Sequence, residues 1–150
     1  MATPTARRMK LGMFNWPCGH HLAAWRHPSA TADAPQNLAH IIETAKLAER
    51  GLFDMFFMAD TQTFWQGSLE AMVRERYNTR IEPFVLMCAL SQHTTHLGFA
   101  VTASTPYDQP FALARRFASL DLVSGGRAAW NLVTSANPSE AESYGFDEHL

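Results

Sequence analysis

The spacing of its short apolar runs constrains this chain more than any other feature. Met9 to Asn15 holds the apolar core Leu11-Gly12-Met13-Phe14. Leu52 to Ala59 follows, interrupted by Asp54 and closing on Asp60, then His96 to Thr102 and Arg127 to Val133. Each run has the length of a buried strand, and each ends in polar residues. They recur about 40 residues apart, with no Asn-Gly hairpin signal between them. A tight turn joins antiparallel strands, whereas parallel neighbours need a crossover of a dozen residues or more, usually a helix. The pattern therefore predicts β-α-β-α-β-α-β with a parallel sheet.

The intervening stretches carry helical periodicity. Pro35 suits a first helical position, with Asp33 nearby as the capping candidate, and Leu38, Ile41, Ile42, Ala45 and Ala48 fall on one apolar face. Gly51 stands where that helix stops, a place that commonly takes a left-handed residue. Pro83 opens a second helix, from Phe84 to about Thr94, apolar almost all round and so expected to be buried. Pro110 opens a third, with Phe111, Ala114, Phe117, Ala118 and Leu122 predicted on its core face and Gly125-Gly126 ending it. Residues 16–34 read as a long loop, a kind that tends to be functional, and residues 61–80 as an irregular excursion between strand and helix. Residues 1–9 read as a leader and 10–150 as one domain.

Two architectures accommodate four such units: an open doubly wound sheet, or half of a (β/α)8 barrel. A dinucleotide-binding sheet carries Gly-x-Gly-x-x-Gly straight after its first strand, whereas here Asn15-Trp16-Pro17-Cys18-Gly19-His20 follows. Weight shifts to the barrel. The formal net charge is −2, without a recurring basic face, which argues against nucleic-acid binding. No apolar run approaches a membrane span, and the N-terminus lacks a signal-peptide core. Cys18 and Cys88 are too few for a disulfide framework, so they are expected to be reduced in a cytoplasmic protein.

In a parallel barrel the strand ends Asn15, Asp60, Thr102 (with Ser104 and Thr105) and Asn131 (with Thr134 and Ser135) converge on one face. Amides, hydroxyls and one carboxylate there match the donors and acceptors of a heteroaromatic ligand, although loop starts are polar in any protein. Cys18-Gly19-His20-His21 invites a metal reading, but no second Cys/His cluster supplies the remaining ligands. One of its imidazoles can serve as a hydrogen-bond partner or proton relay, or as a structural hydrogen bond within the loop. Trp65, in the irregular excursion, is a pocket candidate, while the Phe residues at strand positions have a core reading beside a pocket one. No serine-hydrolase elbow or P-loop is present.

Several segments together resemble one family. They are Gly19–Pro28 (GHHLAAWRHP), Phe53–Asp60 (FDMFFMAD), and Val101–Phe146 with its SGGRAAWNLVTS run. They resemble the flavin-dependent monooxygenases of the bacterial-luciferase-like superfamily, in the branch of the nitrilotriacetate monooxygenases, the pristinamycin synthases and the dibenzothiophene sulfone monooxygenases. The resemblance implies a TIM (β/α)8 barrel that binds reduced FMN delivered by a separate NAD(P)H:flavin oxidoreductase. It also implies use of O2 to oxygenate a small organic substrate, often with C–N or C–S cleavage. By position it puts Asp60, Thr102 and Asn131 around the flavin. His20 becomes the catalytic candidate on the substrate side, and Phe57 and Trp65 join the pocket. A homo-oligomer is expected at full length. Family members continue past the Tyr-Gly-Phe at 144–146 into a His-x-x-x-Tyr segment and a later serine loop that contact the flavin phosphate. The chain ends at Leu150, so the expectation is the N-terminal half of the barrel: a fragment, or an inactive self-associating remnant. Replacement of FMN by the deazaflavin F420 is a further alternative, disfavoured by the matched segments.

Overall fold

The computed structural model describes residues 8–21, 23–64, 67–74 and 78–148. Four parallel strands form one sheet: β1 (Gly12–Phe14), β2 (Met55–Met58), β3 (Gly98–Ser104) and β4 (Ala128–Val133), in the spatial order β1-β2-β3-β4. That order decides between the two architectures. A doubly wound sheet reverses its strand order at a switch point, whereas a barrel adds each strand beside the last. The fold is therefore α/β, with four consecutive strands in barrel order.

The connections are helical: α1 (Leu38–Arg50) follows β1, α2 (Leu69–Arg74) and α3 (Pro83–Ser91) follow β2, and α4 (Pro110–Ser124) follows β3. A short α5 (Ser139–Ser143) closes the described chain, and Ala24–Arg26 make one 3-10 turn. The helix boundaries follow residue chemistry, though not always through the expected residues. At α1 the cap is Asn37, whose side-chain oxygen accepts from the His40 N–H at 3.0 Å; Asp33 sits one turn earlier and accepts from the Asn37 amide. Pro35 lies in the preceding turn, outside the helix. Gly51 has φ −76°, and the left-handed residue is Leu52 with φ 61°, an exposed leucine carrying backbone strain. Pro83 and Pro110 do open their helices, and Gly125 ends α4 at φ 70°.

Residues alternate across the strands, so one face of the sheet meets the helices. Phe56, Met58, Phe99, Val101 and Ala103 pack there against Ile41 and Ala45 of α1, Leu86, Met87 and Leu90 of α3, and Leu113 and Leu120 of α4. Each large side chain so buried contributes about 1.5–3 kcal/mol. As expected from its composition, α3 is largely buried, with Val85 the exception. On α4 the predicted core face is corrected. Leu113, Leu120 and Ser124 are buried and Phe117 is half-buried, while Phe111 and Leu122 are exposed at 76% and 82%. The helix carries two apolar stripes at compatible spacing, and only the position of the sheet selects one.

Polar clamps hold the N-terminal ends of the strands. The Glu49 carboxylate Oε1 accepts from the backbone N–H groups of Thr95, His96 and Leu97 at 2.8, 2.5 and 3.0 Å, fixing the entry to β3. Asp54 takes Lys10 Nζ at 2.7 Å and the Leu11 N–H at 2.9 Å, fixing the entry to β1. Arg127 donates to the carbonyl oxygens of Ser91, Leu97 and Ser124 and to Thr94 Oγ1, over the ring of Phe99. Its charge thus lies at the C-termini of α3 and α4, where the helix dipoles favour a cation. Among the described residues no helix is long and apolar enough to cross a membrane. Neither Cys18 nor Cys88 is in a disulfide.

Candidate functional site at the strand C-termini

The opposite face of the sheet is the less covered one. Strand register puts Phe14, Phe57, Ala100 and Ala129 in one row across it, with Thr102 and Asn131 paired in the next. Here a hydrogen-bonded ladder crosses three strands. Asn131 Nδ2 donates to Thr102 Oγ1 at 3.0 Å, and Thr102 Oγ1 donates to the Met58 carbonyl at 3.2 Å. Thr102 is buried and Asn131 half-buried. Beyond them Ser104 and Ser135 hydroxyls meet at 2.5 Å. Ser135 has φ 60°, so the chain leaving β4 is held in a left-handed conformation disfavoured for a residue with a Cβ.

A second group builds a wall beside β1 and β2. Phe14 and Phe57 rings lie 5.0 Å apart, and His20 stands edge-on to Phe14 at 4.7 Å while stacking against Trp16 at 6.2 Å. The Arg80 guanidinium sits 5.9 Å from the Trp16 ring centroid and donates from Nε and Nη2 to one oxygen of Asp60, at 3.0 and 2.5 Å. Arg80 also reaches the Thr61 carbonyl at 3.2 Å, tying the end of the excursion to the end of β2. Burial pushes the Asp60 carboxyl above the usual aspartate range, and the neighbouring Arg80 pulls it back without cancelling the rise. Asp60, Thr61, Gln62, Thr63, Arg80 and Glu82 line a polar cleft next to this pair.

Segments from three connections close over these ends. Thr63 Oγ1 meets Ser139 Oγ at 3.1 Å, Gln62 donates to Asp108, which also pairs with Arg116, and the rings of Tyr107 and Tyr144 stack at 4.9 Å. A mostly apolar groove lies elsewhere, between α4 and the outer face of β4. Its lining is apolar apart from Thr105, Asp108 and Asp121. The strand ends, by contrast, hold amide, hydroxyl, guanidinium and carboxylate groups that can orient a polar ligand.

The candidates read from the sequence divide as follows. Asp60, Thr102 and Asn131 sit at the ends of β2, β3 and β4; Phe57 lines the open face; His20 is exposed on the wall. Trp65 lies outside the described residues. Trp130 packs on Phe117 and donates to the Ala103 carbonyl on the helix-facing side, away from this face. Sequence reasoning missed Arg80, which lies 20 residues from its partner and carries no local pattern. It also missed the state of Asn15. That residue is only 6% exposed, its backbone N–H is tied to the Phe57 carbonyl at 2.8 Å, and its side-chain Nδ2 is buried without a hydrogen-bond partner among the described residues.

A parallel βα sheet in barrel order, with its polar groups gathered at the strand C-termini, places the chain among barrel proteins that bind ligands at that face. More narrowly, residues 13–150 match the family described as luciferase-like monooxygenases, and the chain belongs to it. It is 47% identical over 148 residues to N-acetyl-S-(2-succino)cysteine monooxygenase of Bacillus subtilis (strain 168), covering 99% of this chain and 32% of that protein. Identity to nitrilotriacetate monooxygenase component A of Aminobacter aminovorans is 38% over 151 residues, covering 96% and 33%. Among solved structures, riboflavin lyase with modified FMN and substrate riboflavin superposes with a TM-score of 0.82 at 27% identity, covering 95% of this chain and 33% of that one. The chain thus spans about a third of the length of the relatives it matches.

Proposed function

We propose that these residues are the N-terminal part of an FMNH2-dependent monooxygenase, with the open strand-end face as its flavin site. One observation carries the reading: the Asn131–Thr102 ladder, the Asp60–Arg80 pair and the aromatic wall all lie at the C-terminal ends of the same parallel strands. The residues fit a flat heteroaromatic ring. Ala100 and Ala129 are small side chains in the middle of the row, Phe14 and Phe57 offer ring faces, and the amide of Asn131 offers hydrogen-bonding groups at the edge. The riboflavin lyase relative, solved with modified FMN, supports this choice of ring.

When bound, the reduced flavin supplies the electrons that activate O2 for transfer of one oxygen atom to substrate. The protein's own residues do the rest. Asn131 and Thr102 hold the ring at β3 and β4, and Arg80 fixes the Asp60 carboxylate so that its charge stays at one place on the rim. Phe14, Trp16 and Phe57 exclude water from the reacting side. His20, exposed on the same wall, exchanges a proton with substrate through an imidazole nitrogen. A separate NAD(P)H:flavin oxidoreductase supplies the FMNH2, in keeping with the relative designated component A. The substrate is a small organic molecule cleaved at a C–N or C–S bond, and the full-length enzyme is a cytoplasmic homo-oligomer.

The test is oxygen consumption and 18O incorporation by the full-length protein supplied with FMN, NADH and a flavin reductase. The candidates are thioether, sulfone and aminopolycarboxylate substrates. Reductase-dependent incorporation of one 18O atom is expected. Incorporation that persists without FMN would overturn the proposal.

A further inference from the structure

A count of hydrogens fixes which way the Asn131–Thr102 ladder runs. Thr102 faces the open side of the sheet, since its neighbours Val101 and Ala103 pack toward the helices, and parallel register puts Asn131 beside it on the same face. A hydroxyl carries one hydrogen, and Thr102 gives it to the Met58 carbonyl at 3.2 Å, an oxygen that can only accept. Toward Asn131, Thr102 Oγ1 is then an acceptor, so the amide turns its Nδ2 to it at 3.0 Å. With the amide reversed, Oδ1 would stand against Oγ1, and the single hydrogen could serve only one of the two oxygens. The ladder would lose a hydrogen bond at a residue only 7% exposed, and that cost sets the orientation. The amide oxygen is therefore held away from Thr102. Asn131 Oδ1 makes no hydrogen bond to a described residue and, in a half-buried side chain, is not sealed from solvent.

We infer that Asn131 presents Oδ1 as an acceptor to a ring N–H of the bound flavin, and that Thr102 is the positioning residue that fixes this polarity through the Met58 carbonyl. This assignment rests on the flavin reading above and adds the direction of the contact. An isoalloxazine ring carries N3–H in both oxidation states, whereas N5–H and, in the neutral ring, N1–H are present only after reduction. An acceptor held at this place welcomes any of these groups. Against a ring carbonyl or an oxidised N5 it sets lone pair against lone pair, and so discriminates. Because the amide is oriented before the ring arrives, no reorganisation is needed on binding.

The experiment uses the full-length protein with Thr102→Val, which keeps the shape but has no hydroxyl, and Thr102→Ser, which keeps a hydroxyl. Anaerobic titrations give Kd for FMN, for FMNH2 and for N3-methyl-FMN, with the urea midpoint of the flavin-free protein measured beside them. In the unsubstituted protein the contact predicts a discrimination of roughly tenfold, the value of one well-made hydrogen bond in a desolvated site. Weaker binding of N3-methyl-FMN than of FMN by that factor identifies N3–H. Tighter binding of FMNH2 than of FMN identifies a hydrogen gained on reduction. Thr102→Val leaves the amide free to turn, so the discrimination falls to within about threefold, whereas Thr102→Ser retains it. A merely structural threonine would lower the urea midpoint and move all three Kd values together. A discrimination that survives Thr102→Val, as a steric penalty from the methyl group would, overturns the inference. So does the lack of either discrimination in the unsubstituted protein, a result that depends on no variant. If the unsubstituted protein binds neither FMN nor FMNH2, the function proposed above falls too; binding without discrimination sinks this inference alone.

Discussion

Replacing Arg80 by Met leaves the Asp60 carboxylate in place without its cation. Both side chains are well covered, at 13% and 19% exposure, and the guanidinium makes two contacts to Asp60 and one to the Thr61 carbonyl. Breaking a fully buried pair from one side costs about 3–5 kcal/mol, and the residual exposure here places Arg80→Met near the lower end, about 3 kcal/mol at pH 7.5. The cost depends on pH with a definite sign. The Asp60 carboxyl already stands above its ordinary range, so the folded state binds its proton more tightly than the unfolded state does. Stability from this group is therefore fully present below the unfolded pKa and lost as pH rises through the folded one. Removing Arg80 raises the folded value further. A protonated Asp60 has no charge to bury, so the deficit of the variant shrinks on acidification from pH 7.5 to 5. Urea denaturation at both pH values measures this. Arg80→Met combined with Asp60→Asn should recover most of the loss and flatten its pH dependence. A deficit under about 1 kcal/mol, or one independent of pH in the single variant, refutes the reasoning.

Other expectations follow from the same structure. Glu49→Gln should lose about 1 kcal/mol at neutral pH, since a neutral amide oxygen accepts the three N–H groups of residues 95–97 less well. Despite some burial, those three donors hold the Glu49 carboxyl below the usual glutamate range. Its contribution is present at neutral pH and fades as pH falls through that lowered value, so the gap between variant and parent in urea midpoint should close in acid. Leu52→Gly should raise stability by about 0.5–1 kcal/mol, because Leu52 is strained at φ 61° and, being 83% exposed, gives up little packing; thermal unfolding decides, and a loss contradicts it. Arg127→Met should cost about 3 kcal/mol by stranding the carbonyls of Ser91, Leu97 and Ser124, yet leave the Kd for FMN of the folded full-length protein within about twofold.

The arrangement of the sheet was legible because apolar run length and spacing are read directly from residue order, and the missing glycine fingerprint tilted the choice to a barrel. What stayed illegible depended on where elements meet. Phe111 and Leu122 share a helical stripe as good as that of Leu113 and Leu120, and nothing local says which stripe the sheet will cover. Gly51 does cap α1, as its position in the sequence predicts, but its φ is an ordinary −76° and the left-handed turn falls one residue later, on Leu52. α2 escaped notice because six residues in a polar stretch show too little periodicity. For the site, Thr102 and Asn131 announced themselves as polar ends of apolar runs. Their ladder and the Asp60–Arg80 pair are tertiary facts, set by register between strands and by the path of the excursion. The SGGRAAWN run joins both kinds of residue: Arg127 braces the base of the sheet, and Asn131 faces its working end.

The most direct measurement of the central claim is a crystal structure of the full-length protein soaked with FMN. The account predicts the isoalloxazine ring at the C-terminal ends of β1–β4, beside Phe57 and within hydrogen-bond reach of the Asn131 or Thr102 side chains. A flavin seated in the groove between α4 and the outer face of β4, or at the Arg127 end of the strands, would contradict it.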